Sequence, residues 1–83
     1  MQASLSSLID ADADAMHSLR LAEAELVKAR AALADAVAAH LDSTDIYMPE
    51  VVRASEEERR CLAERDAARA AWEAAVSALV GAG

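Results

Sequence analysis

The chain has 83 residues, a formal net charge of −7, one cysteine and two histidines. This length allows one domain with a small core, and a single thiol forms no internal disulfide. The acidity disfavours binding to the phosphate backbone of nucleic acids or to an anionic membrane surface. Since neither a signal peptide nor a transmembrane span is visible, we expect a soluble, cytoplasmic protein.

Alanine, leucine, glutamate and arginine dominate the chain, whereas glycine occurs twice and proline once. These are the strongest helix formers, and the helix breakers are nearly excluded, so we predict an all-α protein. The first predicted helix extends over about residues 4–41. Candidate N-caps are Ser4, Ser6 and Ser7. We expect the aspartates that follow to favour the positive end of the helix dipole: Asp10, Asp12 and Asp14.

A seven-residue repeat organises this helix. Leu19, Leu26 and Leu33 are spaced by seven, and a row of alanines with the same spacing lies between them: Ala22, Ala29 and Ala36. On a helix, large residues at heptad position a and small ones at d form one continuous stripe. Position e widens the stripe with Ile9, Met16 and Val37. The stripe is therefore wider than one neighbouring helix can cover.

The polar run 42–45 predicts the end of the first helix, because short polar side chains compete for the backbone. Pro49 is suited to the first turn of a second helix, where a missing amide costs little. We predict a turn at about 42–48 and a second helix at about 49–80, with Gly81 as its stop. So short a connection makes the two helices antiparallel neighbours.

The second helix has an apolar stripe and a small row of its own. Its apolar positions are Val51, Leu62, Trp72, Val76 and Leu79, and its small row is Ala54, Cys61, Ala68 and Ala75. Folding at residues 44–46 places residue i opposite residue 90 − i. This register brings Glu58, Arg65 and Arg69 to the stripe, and it predicts ion pairs of Arg30 with Glu58 and of Glu23 with Arg65 or Arg69.

We therefore predict a single domain over 1–83: an antiparallel two-helix hairpin of the alanine-rich coiled-coil type that dimerises into a four-helix bundle. The predicted association stripe is Leu5, Leu8, Met16, Leu19, Ala22, Leu26, Ala29, Leu33, Ala36, Leu62, Trp72, Val76 and Leu79. Further small or apolar residues are expected on the outer faces: Leu21, Ala24, Val27, Ala31, Ala34, Ala38, Ala67, Ala70, Ala71, Ala74 and Ala78. Such smooth faces favour packing of a further helix, although single exposed apolar residues are also ordinary.

Few residues could carry chemistry. His40 and the nearby carboxylates match no metal-binding loop, so we interpret His40 as a helix-end residue in a solvated turn. We interpret Cys61 as a small packing residue, and Glu56 with Arg60 as an ion pair on a solvated face. We expect no catalytic residue, cofactor or metal.

Two functional hypotheses follow. The first is a non-enzymatic protein–protein interaction module, such as an adaptor, assembly factor or small regulator, whose partner is itself or another protein. The alternative is a small acidic inhibitor of the phage type that blocks a basic nucleic-acid-binding surface of a bacterial defence or regulatory complex. Its predicted docking residues are Asp10, Asp14, Asp42, Asp45 and Glu50.

Overall fold

The computed structural model describes residues 4–41 and 49–82. It contains two α-helices, α1 over Leu5–Ala39 and α2 over Pro49–Ala82, and the described residues form no strand. The helices pack side by side in a molecule of 62 × 15 × 15 Å. The predicted all-α hairpin is thus confirmed, while the predicted turn at 42–48 lies outside the described residues. Neither described helix contains a stretch long and apolar enough to cross a bilayer.

The N-terminus of α1 is capped by a serine. Ser4 is extended, and its Oγ accepts a hydrogen bond of 3.1 Å from the Ser7 backbone N–H. This bond satisfies one of the amides that the first turn leaves without a partner. The first turn contains no acidic residue. The predicted placement of Asp10, Asp12 and Asp14 at the positive end of the helix dipole is therefore wrong. They lie beyond the first turn, where the dipole effect fades.

The end of α2 differs from the prediction at Gly81. The helix continues through Gly81 to Ala82, and Gly81 does not have a positive φ. It is therefore a helical residue and not the left-handed cap that stops a helix. At the other end, Pro49 is the first helical residue, a position at which the missing N–H costs no intrahelical bond.

Burial follows the heptad on both helices. In the described part of α1, the residues that are not exposed lie at positions a and d, except Met16 at e. On α2, where Val51, Trp72 and Leu79 stand at position a and the small row with Cys61 stands at d, they lie at a, d and e. The fully buried residues are Leu19, Leu26, Ala29 and Cys61. Three of these, Leu26, Ala29 and Cys61, form the central cluster, against which Leu62 packs. We call the line of contact along positions a and d the seam.

Two side-chain contacts across the seam define the register. Arg30 Nε lies 3.6 Å from Glu58 Oε2, and His40 Nε2 lies 3.3 Å from Glu50 Oε2. In each pair the residue numbers add up to within two of the predicted 90. The small rows thereby meet at the seam, Ala29 beside Cys61 in the buried cluster, so the helix backbones can approach closely.

Candidate association surface

Two charged residues of α2 occupy position a of the seam. The side chains of Glu58 and Arg65 keep 31% and 21% of their surface exposed. Glu58 forms the predicted pair with Arg30, whereas Arg65 Nε donates to Asp66 Oδ1 at 2.9 Å on its own helix. A predicted pair with Glu23 is not formed.

Arg69 also differs from the prediction. It is exposed and does not reach the seam. It occupies position e, at the margin of the α2 stripe, where a long charged side chain extends into solvent.

Position e of both helices lies on the same side of the seam, because the helices are antiparallel. This side carries a row of large apolar residues that we call the large-residue face: Ile9, Met16, Val37, Leu62 and Val76. Ile9 and Val37 keep 51% and 46% of their surface exposed, and the other three are half-buried. One neighbouring helix therefore leaves the e positions of α1 largely uncovered.

The opposite side of the seam is lined mainly by small residues. A groove of about 430 Å³ lies there, next to the turn end of the hairpin. Its lining residues are Ala29, Ala32, Ala36, Glu50, Arg53, Ala54 and Glu57. The groove was not among the predicted features, although the coincidence of two alanine rows at the seam is the pattern that produces it.

The outer faces are exposed as the heptad predicts. On α1, Leu21 and Val27 keep 56% and 67% of their surface exposed. The outer alanines of both helices are exposed as well: Ala24, Ala31, Ala34, Ala38, Ala67, Ala70, Ala71, Ala74 and Ala78. Nothing within the described chain covers them.

The predicted association stripe divides into a buried and a half-buried part. The buried residues Leu19, Leu26 and Ala29 are taken up by the seam. The half-buried residues are Leu8, Met16, Ala22, Leu33, Ala36, Leu62, Trp72, Val76 and Leu79, and Leu5 is exposed. The indole Nε1 of Trp72 is buried without a hydrogen-bond partner among the described residues. Only the half-buried and exposed members can contact a second protein without unfolding the hairpin.

Charged side chains surround the buried thiol of Cys61. Burial raises its pKa, the Arg60 guanidinium lowers it, and the Glu57 and Glu64 carboxylates raise it further. Arg60 contacts both carboxylates, and its hydrogen bond lowers the pKa of Glu57 and raises its own. The expected Glu56–Arg60 pair is therefore wrong, because Arg60 instead bridges residues three before and four after it. A neutral, covered thiol is a poor nucleophile.

The residues at the turn form no metal site among the described side chains. His40 is the C-cap of α1, its backbone N–H donates to the Val37 carbonyl, and its ring contacts Glu50. Asp42 and Asp45 lie outside the described residues. His40 therefore joins the last turn of α1 to the first turn of α2.

The predicted acidic docking residues do not form one described patch. Asp10, Asp14 and Glu50 are exposed. Because Glu50 contacts His40, it lies roughly 40 Å along α1 from Asp14, at 1.5 Å per residue. Asp10 and Asp14 thus lie towards one end of the hairpin and Glu50 lies at the other.

Comparison of the chain with protein-family models, curated proteins and solved structures gives no match.

Proposed function

We propose that this protein is a non-enzymatic interaction module that associates through its large-residue face. The observation that carries the proposal is the exposure of large apolar side chains at heptad spacing beside a seam that is already formed. Ile9, Met16 and Val37 continue the α1 stripe onto a side that α2 covers only in part. Helices of a second protein packed on this face would extend the core from two helices to four.

Burial of this face is worth enough free energy to support association. Covering one large aliphatic side chain contributes about 1.5–3 kcal/mol relative to full exposure. The residues concerned are half-buried or about half exposed, so each contributes a part of that value. Summed over five residues, the gain offsets a substantial part of the about 4–15 kcal/mol that association costs in lost freedom.

A pair of matched double variants tests the proposal. Met16→Glu with Val37→Glu places two charges on the large-residue face, and Leu21→Glu with Val27→Glu places two on the outer face of the same helix. We expect the first variant to lose association while keeping its helical circular dichroism, and the second to retain both. Sedimentation measures self-association, and affinity capture measures binding to other proteins. Association that survives in the first variant and is lost in the second would contradict the proposal.

A charge placed within the buried stripe, as in Leu26→Asp, is unsuited to this test. Leu26 is 3% exposed and belongs to the buried cluster, so an aspartate there unfolds the hairpin whether or not a partner exists. The variants on the large-residue face avoid this problem because Val37 is half exposed and Met16 half-buried.

The net charge of −7 supports a second candidate, a small acidic inhibitor that blocks a basic nucleic-acid-binding surface. Salt separates the two candidates. An interaction carried by Asp10, Asp14 and Glu50 should weaken steeply between low and moderate ionic strength, whereas apolar packing should not. Competition with nucleic acid for the captured protein is the second readout, and its absence counts against the inhibitor.

A further inference from the structure

The large-residue face carries a carboxylate and a guanidinium on α1. Glu23 and Arg30 occupy successive e positions, seven residues apart, between Met16 and Val37 of the same row. Both charged side chains are exposed, and Arg30 also contacts Glu58 of the seam. The e row of α1 therefore has one negative and one positive point between two apolar residues.

The midpoint of this charge pair falls beside Leu26. Leu26 belongs to the central cluster against which Leu62 of α2 packs, so Leu62 marks the same level on α2. A twofold axis that lies in the face and runs across both helices at this level superimposes Glu23 on Arg30. The e row of α1 is therefore complementary to itself.

We propose that the occupant of the large-residue face is a second copy of the chain, packed antiparallel about a twofold axis at the level of Leu26 and Leu62. This inference rests on the proposed function and names the partner of the same surface. Glu23 of each copy then faces Arg30 of the other. This pairing occurs twice, so reversal of one residue affects two contacts.

The apolar residues match under the same operation. Met16 of one copy faces Val37 of the other, and this contact also occurs twice. Met16 is half-buried and Val37 is exposed in the single hairpin, so the second copy covers surface that the first leaves open.

The exposed area supports a second copy. The chain has an accessible surface of 6094 Å² and a mass of 8.7 kDa. A compact monomer of this mass exposes about 4,700 Å², so the hairpin exposes roughly 1,400 Å² more. A specific interface covers about 800 Å² on each partner. The excess is large enough for one such interface.

Charge exchange between two variants tests the arrangement. Glu23→Arg gives a face with two arginines on α1, and Arg30→Glu gives a face with two glutamates. We expect each variant alone to dimerise roughly tenfold or more weakly than the wild type, and an equimolar mixture to recover a heterodimer. Asp35→Arg makes the same charge change as Glu23→Arg on the outer face and should leave dimerisation unchanged. Sedimentation equilibrium gives the dissociation constants.

A disulfide trap tests the direction without relying on charge. Met16→Cys with Val37→Cys should form a covalent dimer on oxidation, because the two positions meet only between antiparallel copies. Within one helix they are roughly 30 Å apart, far beyond disulfide reach. His17→Cys with Ala38→Cys has the same spacing on the outer face and should remain uncrosslinked.

The outcomes separate this inference from the proposed function. If the wild type dimerises but neither the mixture nor the trap gives the expected product, the antiparallel arrangement is wrong and the interaction module stands. If the wild type is monomeric at about 200 μM, well above the dissociation constants of weak specific complexes, a second copy is not the occupant. Affinity capture of other proteins then decides the proposed function alone. It compares the double variant Met16→Glu, Val37→Glu with its control Leu21→Glu, Val27→Glu.

Discussion

Cys61 shows how one residue serves the packing of the hairpin. It is 1% exposed, it stands in the small row of α2, and it contacts Leu26 and Ala29 of α1. A thiol is slightly larger than a methyl group, so it fills the centre of the seam where the remaining members of the row are alanines. Burial is also the first cause of its raised pKa. The position therefore selects a small neutral side chain, not a reactive one.

The thiol of Cys61 should be protected from modification in the folded hairpin. We expect a disulfide reagent to label it at least about a hundredfold faster in denaturant than in native buffer, because the native thiol is both covered and kept protonated. Ser77→Cys in a Cys61→Ala background supplies an exposed control thiol on the same helix. Equal labelling rates for the two native proteins would contradict the burial of Cys61.

The raised pKa of Cys61 also predicts how stability depends on pH. The unfolded chain loses the thiol proton at a lower pH than the folded chain, so the contribution is fully present below the ordinary thiol pKa of about 8.5 and is lost as pH rises above it. We expect the urea midpoint of the wild type to fall more between about pH 8 and about pH 10 than that of Cys61→Ala. Parallel curves for the two proteins would show that the thiol pKa is the same in both states.

At the scale of the element, each helix alternates a row of large residues with a row of small ones. The large residues at position a supply apolar area, and the alanines at position d allow close approach of the backbones. The α2 stripe interrupts this scheme with Glu58 and Arg65. The charged ends of both side chains remain partly in water, where Glu58 contacts Arg30 and Arg65 contacts Asp66.

Enlarging the small row should separate the helices. Ala29 is 6% exposed in the central cluster, so Ala29→Leu overpacks the seam and is expected to cost about 1–3 kcal/mol of the free energy of unfolding. The matched control Ala31→Leu adds the same side chain on the exposed outer face and should change stability by less than about 0.5 kcal/mol. Urea denaturation followed by circular dichroism measures both. A neutral Ala29→Leu would mean that the seam is loosely packed.

Gly81→Ala should stabilise the end of α2. Gly81 is helical without a positive φ, and a Cβ at this position meets no atom within 4 Å. Alanine has the higher helix propensity, so a gain of up to about 0.5 kcal/mol is expected this close to the end. A glycine that capped the helix in a left-handed conformation would give a loss instead. The sign of the change in thermal midpoint therefore distinguishes the two conformations.

At the scale of the whole molecule, the hairpin is a long body with little interior. Of the residues that the structure describes, four are fully buried, while large apolar side chains on the large-residue face and on the outer faces stay partly or largely exposed. Two helices have only one line of contact, so a stripe that spans positions a, d and e cannot be covered on both helices at once. Stability and association are therefore linked in this protein.

The thermal midpoint should depend on protein concentration. If the folded hairpin associates and the unfolded chain does not, mass action stabilises the folded state as concentration rises. We expect the midpoint to increase over a hundredfold range of concentration in the wild type and to stay constant in Met16→Glu, Val37→Glu. Calorimetry at several concentrations tests this. A constant midpoint in the wild type would argue for a monomer that is stable without a partner of its own kind.

The sequence by itself determined the helices and the heptad. Helix propensity, the excluded breakers and the spacing of Leu19, Leu26 and Leu33 are local properties, so the pattern alone predicted two antiparallel helices and the pair of Arg30 with Glu58. Only the tertiary structure decided which residues of the stripe are enclosed by the seam and which, such as Met16 and Val37, stay open. This division depends on the rotation of each helix about its axis. That rotation is set by packing between residues distant in the chain. The same holds for Arg60, whose choice of Glu57 and Glu64 over Glu56 depends on side-chain rotamers that spacing leaves open.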